Sequence, residues 1–493
     1  MSTPVPPSPS AASAHSARPL GSSRVPSGRG PLWSILNAPR FFLIDVLSAL
    51  GRALRLNREG ALDAIVICLF FFGFAGQGFR YLLGFYGSAA PMALLFVAFW
   101  ASFFSTDRVI AIRRISTSVS LFVFLCAISL SWSAYPFSTA VSAIVSIGVS
   151  LVGTGIAIAL PMDRLLHCLI RSFQWILGAS YALEAYVALI RGAKLPPWTM
   201  RDQAEIPAMS YWVEGNLLRG GPIQGFMGNR NPLAFVALLL LICVALRWLD
   251  NRDRSWSALV WIGACAATLL LTQSATVTMA GVGCAVVMAA FMAVKAAPAD
   301  LRHRIARGLL AGGLVVAASS FLLRRPITEI FDRSPDMSGR GDIWRALLPL
   351  WQERPILGWG WTIGWPAELE MFAHLVPRSD GTPTTQAHNA TIEAGFQLGV
   401  VGAFFFLMCV AWVYFGVFRV AISHLDDNFM DLAPFIILTA LIIQSLTESR
   451  FLFEGNWMLF VALATWLKVR GNAPATRGRW RADAPSPDPM PVP

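Results

Sequence analysis

Long apolar runs constrain this chain more than any other feature of its sequence. A helix needs about 20 predominantly apolar residues to cross a bilayer. The chain, which is 55% hydrophobic and 14% charged, offers about twelve such runs. We predict spans at residues 61–79, 89–105, 117–133, 138–160, 165–190, 232–248, 256–272, 275–294, 307–323, 391–419, 431–446 and 454–469. The sequence therefore predicts an all-α, polytopic membrane protein with about 12 transmembrane helices.

The basic residues predict which ends of these helices face the cytoplasm. With a cytoplasmic N-terminus, every short basic connection falls on the inner side: 106–116, 249–255, 295–306 and the segment after Lys468. This is the positive-inside pattern, and it places both termini in the cytoplasm. Two long polar segments, 191–231 and 324–390, then face outward, the second between the ninth and tenth spans. The net charge of +11 follows from this asymmetry and does not indicate nucleic acid.

The remaining regions follow from this division. Residues 1–60 are predicted to be a disordered cytoplasmic region with an amphipathic segment before the first span, because residues 1–31 are rich in Pro, Ser, Ala and Gly. No cleavable signal peptide is indicated there. Residues 61–323 hold the first nine spans, 391–469 hold the last three, and 470–493 form a disordered cytoplasmic tail.

The outer segment 324–390 combines seven Arg and no Lys with eight acidic residues, so it is not a general basic patch. Arg without Lys favours planar, bidentate recognition of a diphosphate, although surface solvation gives the same composition. Within this segment, Ser338–Glu353 is predicted to form a helix on the membrane surface, kinked or ended by Pro349. Its apolar face consists of Ile343, Leu347 and Trp351.

Two tryptophans follow that predicted helix in a glycine-containing turn. Trp359 and Trp361 flank Gly360. Tryptophans near the predicted membrane surface are typical of an interfacial anchor. The alternative is a rim on which a sugar ring stacks.

Polar residues at the outer ends of the spans are the candidates for chemistry. Of six histidines, only His374 and His388 fall on the outer side, where a base active near neutral pH would be needed. An ionisable residue at the mouth of a span is a functional candidate, and His388 stands at the mouth of the tenth. The candidates for substrate binding are Asn389, Glu393, Arg219, Arg230, Arg345, Glu448 and Arg450.

Several classes of site are not indicated. The seven cysteines lie inside apolar runs without metal-ligand spacing. No phosphate-binding glycine motif for a nucleotide occurs. We therefore predict no cofactor and no metal.

Eight short motifs occur in a fixed order between about residues 120 and 460. They are S-L-S-W-S-A-Y-P (129–136), G-F-M-G-N-R-N-P-L-A (225–234), L-T-Q-S-A-T (271–276), S-G-R-G-D-I-W (338–344), R-P-I-L-G-W-G (354–360), H-N-A-T-I-E (388–393), Q-L-G-V-V-G (397–402) and L-T-E-S (446–449). In these motifs the chain resembles the O-antigen ligase and polysaccharide polymerase family, especially its exopolysaccharide polymerase branch.

The resemblance implies a GT-C-like, metal-independent glycosyltransferase of the bacterial inner membrane with a periplasmic catalytic loop. Its donor would be an undecaprenyl-diphosphate-linked glycan and its acceptor a sugar hydroxyl. It implies that Arg340 helps to hold the diphosphate and that His388 is the general base. Its implied surroundings are the lipid bilayer and other polysaccharide assembly and chain-length proteins, without nucleic acid.

Three functions remain open at this point. Ligases of the family often carry Ser-Arg where this chain has Ser274-Ala275, which favours a polymerase. The nearest alternative is a ligase that transfers the glycan to lipid A-core or to protein. A transporter or flippase of the same lipid-linked glycan would place polar groups near the bilayer midplane, often in two similar halves, and the sequence shows no such repeat.

Overall fold

The structure of this chain is a computed structural model. It describes residues 57–322, 340–424 and 429–471, except Asp107, Ala299, His374 and Ser379. The predictions for the N-terminal region before residue 57, for residues 323–339, for His374 and for the tail after residue 471 lie outside the described residues.

A helix coincides with each of the twelve predicted spans. The first nine are α1 Arg58–Phe74, α2 Gly76–Phe104, α3 Thr117–Ile128, α4 Pro136–Ala159, α5 Met162–Tyr186, α6 Arg230–Leu249, α7 Trp256–Thr272, α8 Ala275–Ala296 and α9 Arg302–Leu322. The outer segment forms α10 Arg340–Glu353 and a short helix Glu370–Ala373, and the last three spans correspond to α11 Ala390–Ser423, α12 Ala433–Ser445 and α13 Glu454–Gly471. The described residues contain two isolated bridges but no β-strand.

Six of these helices are long and apolar enough to cross a membrane, counted over the described part of the chain: α2, α4, α5 with the π-helical turn that extends it to Arg191, α6, α8 and α11. The protein is therefore an all-helical chain with the composition of a polytopic membrane protein. The total of twelve spans and their orientation stay predictions.

The connections predicted to lie outside contact one another at one end of the helix bundle. The side chain of Gln273, between α7 and α8, donates to the carbonyl of Gly220 at 3.0 Å. The backbone N–H of Met209 donates to Asp380 at 2.8 Å. The two long outer segments, which are far apart in sequence, thus meet at this end.

Ion pairs join the helix ends on the opposite side. Arg164, in the first turn of α5, pairs with Glu59 and Asp63 of α1. Arg252, in the turn after α6, pairs with Asp163. These residues lie in or beside connections that the charge pattern groups on the inner side.

Helix α11 is broken at Gly399, and the outer segment fills the break. Gly399 has φ 66° and ψ −168°, a backbone conformation that only glycine adopts readily. The freed N–H of Val400 donates to the carbonyl of Pro355 at 2.9 Å. The N–H of Gly360 donates to the carbonyl of Gln397 at 2.9 Å. The motifs R-P-I-L-G-W-G and Q-L-G-V-V-G are therefore held together by backbone hydrogen bonds at this break.

Helix α10 differs from its prediction at Pro349. The helix continues through this proline to Glu353 instead of ending there. Pro349 has no N–H, so one backbone carbonyl in the preceding turn of the helix lacks its usual partner. Because Pro349 is exposed, that carbonyl lies on the side of α10 that faces water, which can satisfy it.

The predicted position of α10 on the membrane surface is also wrong for its apolar face. Ile343 and Leu347 pack into a second core cluster with Trp365 and Phe372. Leu347 is only 1% exposed. The face is thus covered by the outer segment itself, because those aromatic residues fold back over it.

The sugar-stacking alternative is wrong for Trp361. This side chain is 1% exposed, and its Nε1 donates to Ser146 Oγ at 2.9 Å inside the core. Trp359 is half-buried and donates to the carbonyl of Leu350 at 2.9 Å. The guanidinium of Arg354 covers its ring at 4.4 Å. Trp361 therefore fastens the outer segment to the bundle, whereas the side chain of Trp359 packs within that segment.

Replacing Gly399 with alanine is expected to destabilise the protein by at least about 2 kcal/mol, because the backbone conformation there is unfavourable for any other residue. The new Cβ would also overlap the carbonyl of Ile356. The matched control is Gly178→Ala, since that glycine lies in a helix with open space around it. Thermal unfolding of both variants in detergent tests the prediction, and equal midpoints would contradict it.

Candidate active site

A buried carboxylate, Glu448 of the motif L-T-E-S, contacts side chains from three of the other motifs. Its Oε1 accepts from Asn231 Nδ2 at 3.2 Å and lies 3.5 Å from Nη2 of Arg340. Its Oε2 accepts from Gln386 Nε2 at 3.0 Å and faces Nδ1 of His388 at 3.2 Å. Glu448 is 4% exposed, so these partners compensate for its removal from water.

Four of these five residues stand at or near the end of a helix, and Gln386 lies in the segment before α11. Asn231 lies in the first turn of α6, which Asn229 caps by accepting from its backbone N–H. Ser274, just before α8, donates to Asn231 Oδ1 at 2.9 Å and so orients the amide. Arg340 begins α10, and Glu448 follows α12. The site therefore lies where five helix ends meet, counting the start of α11 just after His388.

The backbone of His388 is held in the left-handed region, with φ 52°. This conformation is unfavourable for a residue other than glycine and persists only where neighbouring contacts impose it. The preceding N–H, of Ala387, donates to Glu393 Oε2 at 2.6 Å. The following N–H, of Asn389, donates to Ser449 Oγ at 3.3 Å. These two contacts hold the peptides on either side of His388 in place.

Glu393 does not offer a surface to a substrate, which corrects its prediction as a binding residue. It is 0% exposed. Its Oε1 accepts from Trp365 Nε1 at 2.7 Å and Gln397 Nε2 at 2.6 Å. Its Oε2 accepts from Ser449 Oγ at 2.9 Å as well as from Ala387. With four donors on its two oxygens, Glu393 is the support beneath His388.

Asn389 has a structural role, and its predicted contact with substrate stays a prediction. Its Oδ1 accepts from the N–H groups of Thr391 and Ile392 at 2.9 and 3.0 Å, which caps α11. Its Nδ2 donates to the carbonyl of Leu446 at 3.0 Å. Both ends of the amide are therefore used to join α11 to the turn after α12.

Three predicted arginines lie outside the Glu448 cluster. Arg219 and Arg230 are exposed, and Arg345 is exposed and paired with Asp342 at 2.6 Å. Arg230 immediately precedes Asn231 in the chain. A substrate-binding role for these three residues stays a prediction.

The charges around Glu448 favour its ionised form. Burial acts to raise the pKa of Glu448, but the hydrogen bond and charge of His388 and the charges of Arg450 and Arg340 outweigh it and lower the pKa below its ordinary value. Arg450 is half-buried two residues further along the chain. Two guanidiniums beside one carboxylate leave a surplus of positive charge, which suits an anionic ligand.

Sequence reasoning did not select three of the residues in this cluster. Asn231 and Ser274 lie in motifs that were recognised, but their link to Glu448 depends on helix packing. Gln386 lies outside every motif. Its nearness to His388 in the chain was the only signal that could have found it.

The comparisons with known proteins agree with this geometry. The fold and the cluster define a helical membrane protein with a polar site at one end of its bundle. Residues 258–407 match the family model described as O-antigen ligase, so the resemblance is confirmed over this region of the chain. The matched region contains Ser274, Arg340 and His388, whereas Asn231 and Glu448 lie outside it. No curated protein matches the chain.

Stability at acid pH is expected to depend on Glu448. Because its pKa is lower in the folded protein than in the unfolded chain, its ionisation stabilises the fold fully above the ordinary glutamate pKa of about 4.3. That stabilisation is lost as the pH falls through the lower, folded value. Thermal midpoints of Glu448→Gln should therefore fall less steeply between pH 6 and acid pH than those of the wild type. The exposed Glu353→Gln is the control, and parallel curves for all three proteins would contradict this expectation.

Proposed function

We propose that this protein is a glycosyltransferase that polymerises a surface polysaccharide at the periplasmic face of the bacterial inner membrane. The product is an exopolysaccharide or an O-antigen, and the substrates are undecaprenyl-diphosphate-linked repeat units. The observation that carries the proposal is the cluster of His388, Arg340 and Glu448 at one end of a helical membrane protein, two of whose members lie in the matched O-antigen ligase region.

In this proposal His388 is the general base. Its Nδ1 faces the Glu448 carboxylate at 3.2 Å, which favours the tautomer with a proton on Nδ1 and a free lone pair on Nε2. Nε2 accepts the proton of the acceptor hydroxyl as its oxygen attacks the anomeric carbon of the donor. Glu448 then stabilises the imidazolium, as a carboxylate does in other His–carboxylate pairs.

Arg340 stabilises the leaving group. The bond from the anomeric carbon to the diphosphate breaks as the new glycosidic bond forms, and undecaprenyl diphosphate leaves with additional negative charge. A guanidinium fixed beside that charge lowers the barrier, because it needs no reorganisation during the reaction. Arg340 is 8% exposed and held against Glu448, which supplies the preorganisation. Arg450, whose charge acts on Glu448, and Arg230, next to Asn231 in the chain, are further cations for the same diphosphate.

The lipid-linked donor explains why such a site stands on a helix bundle. The lipid tail remains in the bilayer, while the diphosphate and glycan reach the helix ends. The charges of arginine take the part that a metal ion plays in many glycosyl transfers, so the proposed chemistry uses neither metal nor cofactor.

A ligase that transfers the glycan to lipid A-core or to protein is the second candidate, and the description of the matched family favours it. The Ser274-Ala275 pair in place of Ser-Arg favours the polymerase. A transporter is disfavoured, because the polar cluster lies at helix ends and not at the middle of the helices.

Replacing His388 with alanine is expected to slow glycan transfer by about 10²–10⁴-fold, the usual contribution of a general base. Arg340→Lys is expected to lose about 10²-fold, because an ammonium lacks the fixed fork of donors. Transfer rates of the purified, folded variants measure both effects. Arg201→Ala is the control, since it removes an exposed guanidinium from the same end of the bundle. Wild-type rates in His388→Ala and Arg340→Lys would contradict the assigned roles.

Products formed from lipid-linked repeat units alone distinguish the two enzymes. A polymerase is expected to lengthen the lipid-linked glycan when no other acceptor is present. A ligase is expected to react only after lipid A-core or an acceptor protein is added. Electrophoresis of the glycan products decides between them, and no product under either condition would contradict both.

A further inference from the structure

A second basic site lies at the end of the bundle opposite Glu448. Helix α6 connects the two, with Asn231 in its first turn and Arg247 in its last. Sixteen residues of helix separate them, a rise of about 24 Å. Two adjoining cavities open beside Arg247, and both are also lined by His167 of α5.

The lining of the first cavity is basic on one side and apolar on the other. Arg171, Arg247 and His167 supply nitrogen donors, and Gln174 adds an amide. Trp261 of α7 lies on the apolar side. Such a combination suits a ligand with an anionic head and a less polar remainder.

Arg171 and Arg247 differ from their neighbours in lacking an ion-pair partner among the described residues. Arg164 and Arg252, which line the adjoining cavity, are both paired with carboxylates. The hydrogen bond found for the Arg171 side chain is to the neutral Gln174 at 3.3 Å.

Lacking a partner costs more free energy at Arg247 than at Arg171. Its Nε is buried and has no hydrogen-bond partner among the described residues. A buried donor left without a partner costs about 1–3 kcal/mol, and more when it is charged. This cost is removed if a ligand supplies the missing acceptor.

One carboxylate, Asp253, also lines the first cavity. Its Oδ1 accepts from the backbone N–H of Ser255 at 3.2 Å, and it makes no ion pair with Arg171 or Arg247. Two guanidiniums face this one carboxylate, so the cavity keeps a surplus of positive charge.

We propose that the cavity between Arg171 and Arg247 binds a phosphate group. Two guanidinium forks present several donors to one tetrahedral anion, which is the arrangement that phosphate recognition favours. The headgroup of an anionic phospholipid and free inorganic phosphate share this chemistry. In the predicted topology this end faces the cytoplasm, where basic pockets between helices meet anionic headgroups.

The test uses the full-length protein in an uncharged detergent. Its thermal midpoint is followed during titration with inorganic phosphate, with short-chain phosphatidylglycerol, or with short-chain phosphatidylcholine as the lipid without net charge. A ligand that binds only the folded protein raises the midpoint with concentration. Arg171→Gln and Arg247→Gln are each expected to bind the anionic probe about tenfold more weakly, the loss of one charge-assisted contact.

Arg254→Gln is the matched control, because Arg254 is exposed and lies over Trp248 outside both cavities. If Arg247→Gln fails to fold, Arg171→Gln still tests the proposal. A shift with phosphatidylglycerol alone identifies a lipid headgroup, and a shift with phosphate identifies the free anion. The proposal is overturned if neither anionic probe stabilises the wild type, or if both Arg171→Gln and Arg247→Gln respond as Arg254→Gln does. None of these outcomes depends on glycan transfer.

Discussion

The buried carboxylate of Glu448 is the constraint on which the organisation of the site depends. An ionised carboxylate with 4% exposure is tolerated only when donors and positive charges surround it. Those donors come from helix ends that are far apart in sequence, at Asn231, Arg340 and His388. Satisfying one carboxylate therefore brings four helix ends into register. The same contacts leave two guanidiniums and an imidazole beside a single negative charge.

A second buried carboxylate, Glu393, holds a different part of His388 from the part that Glu448 holds. Ser449 connects them, since its Oγ donates to Glu393 while its N–H donates to Gln386, which in turn donates to Glu448. Glu393 holds the backbone before His388, and Glu448 holds the imidazole. Backbone and ring are thus fixed by different groups, so the strained φ of His388 is imposed from two sides.

The sequence predicts the helices of this fold well, because a run of about 20 apolar residues has few other solutions. It also places His388, Arg340 and Glu448 among the candidate residues, because they lie in recognisable motifs. It errs at Glu393 and does not reveal the capping role of Asn389, because nearness to a histidine in sequence does not tell whether a side chain faces the site or the core. The side chain of Asn389 caps α11, and that of Glu393, one helical turn further along, points into the core.

Pairings between distant segments are what the sequence leaves undetermined. Asn231 and Glu448 are separated by more than two hundred positions, and no local pattern in either motif names the other. The surface prediction for α10 failed for the same reason. An amphipathic face predicts that something apolar will cover it, but Trp365 and Phe372 cover this one instead of lipid.

The break in α11 links this packing to the position of His388. Gly399 ends the first part of the helix, which lets the carbonyl of Gln397 accept from Gly360. The same Gln397 donates through its side chain to Glu393 at 2.6 Å. Glu393 in turn fixes the peptide before His388. A helix without the break would offer no place for the outer segment, so the glycine that interrupts α11 is what allows that segment to brace His388.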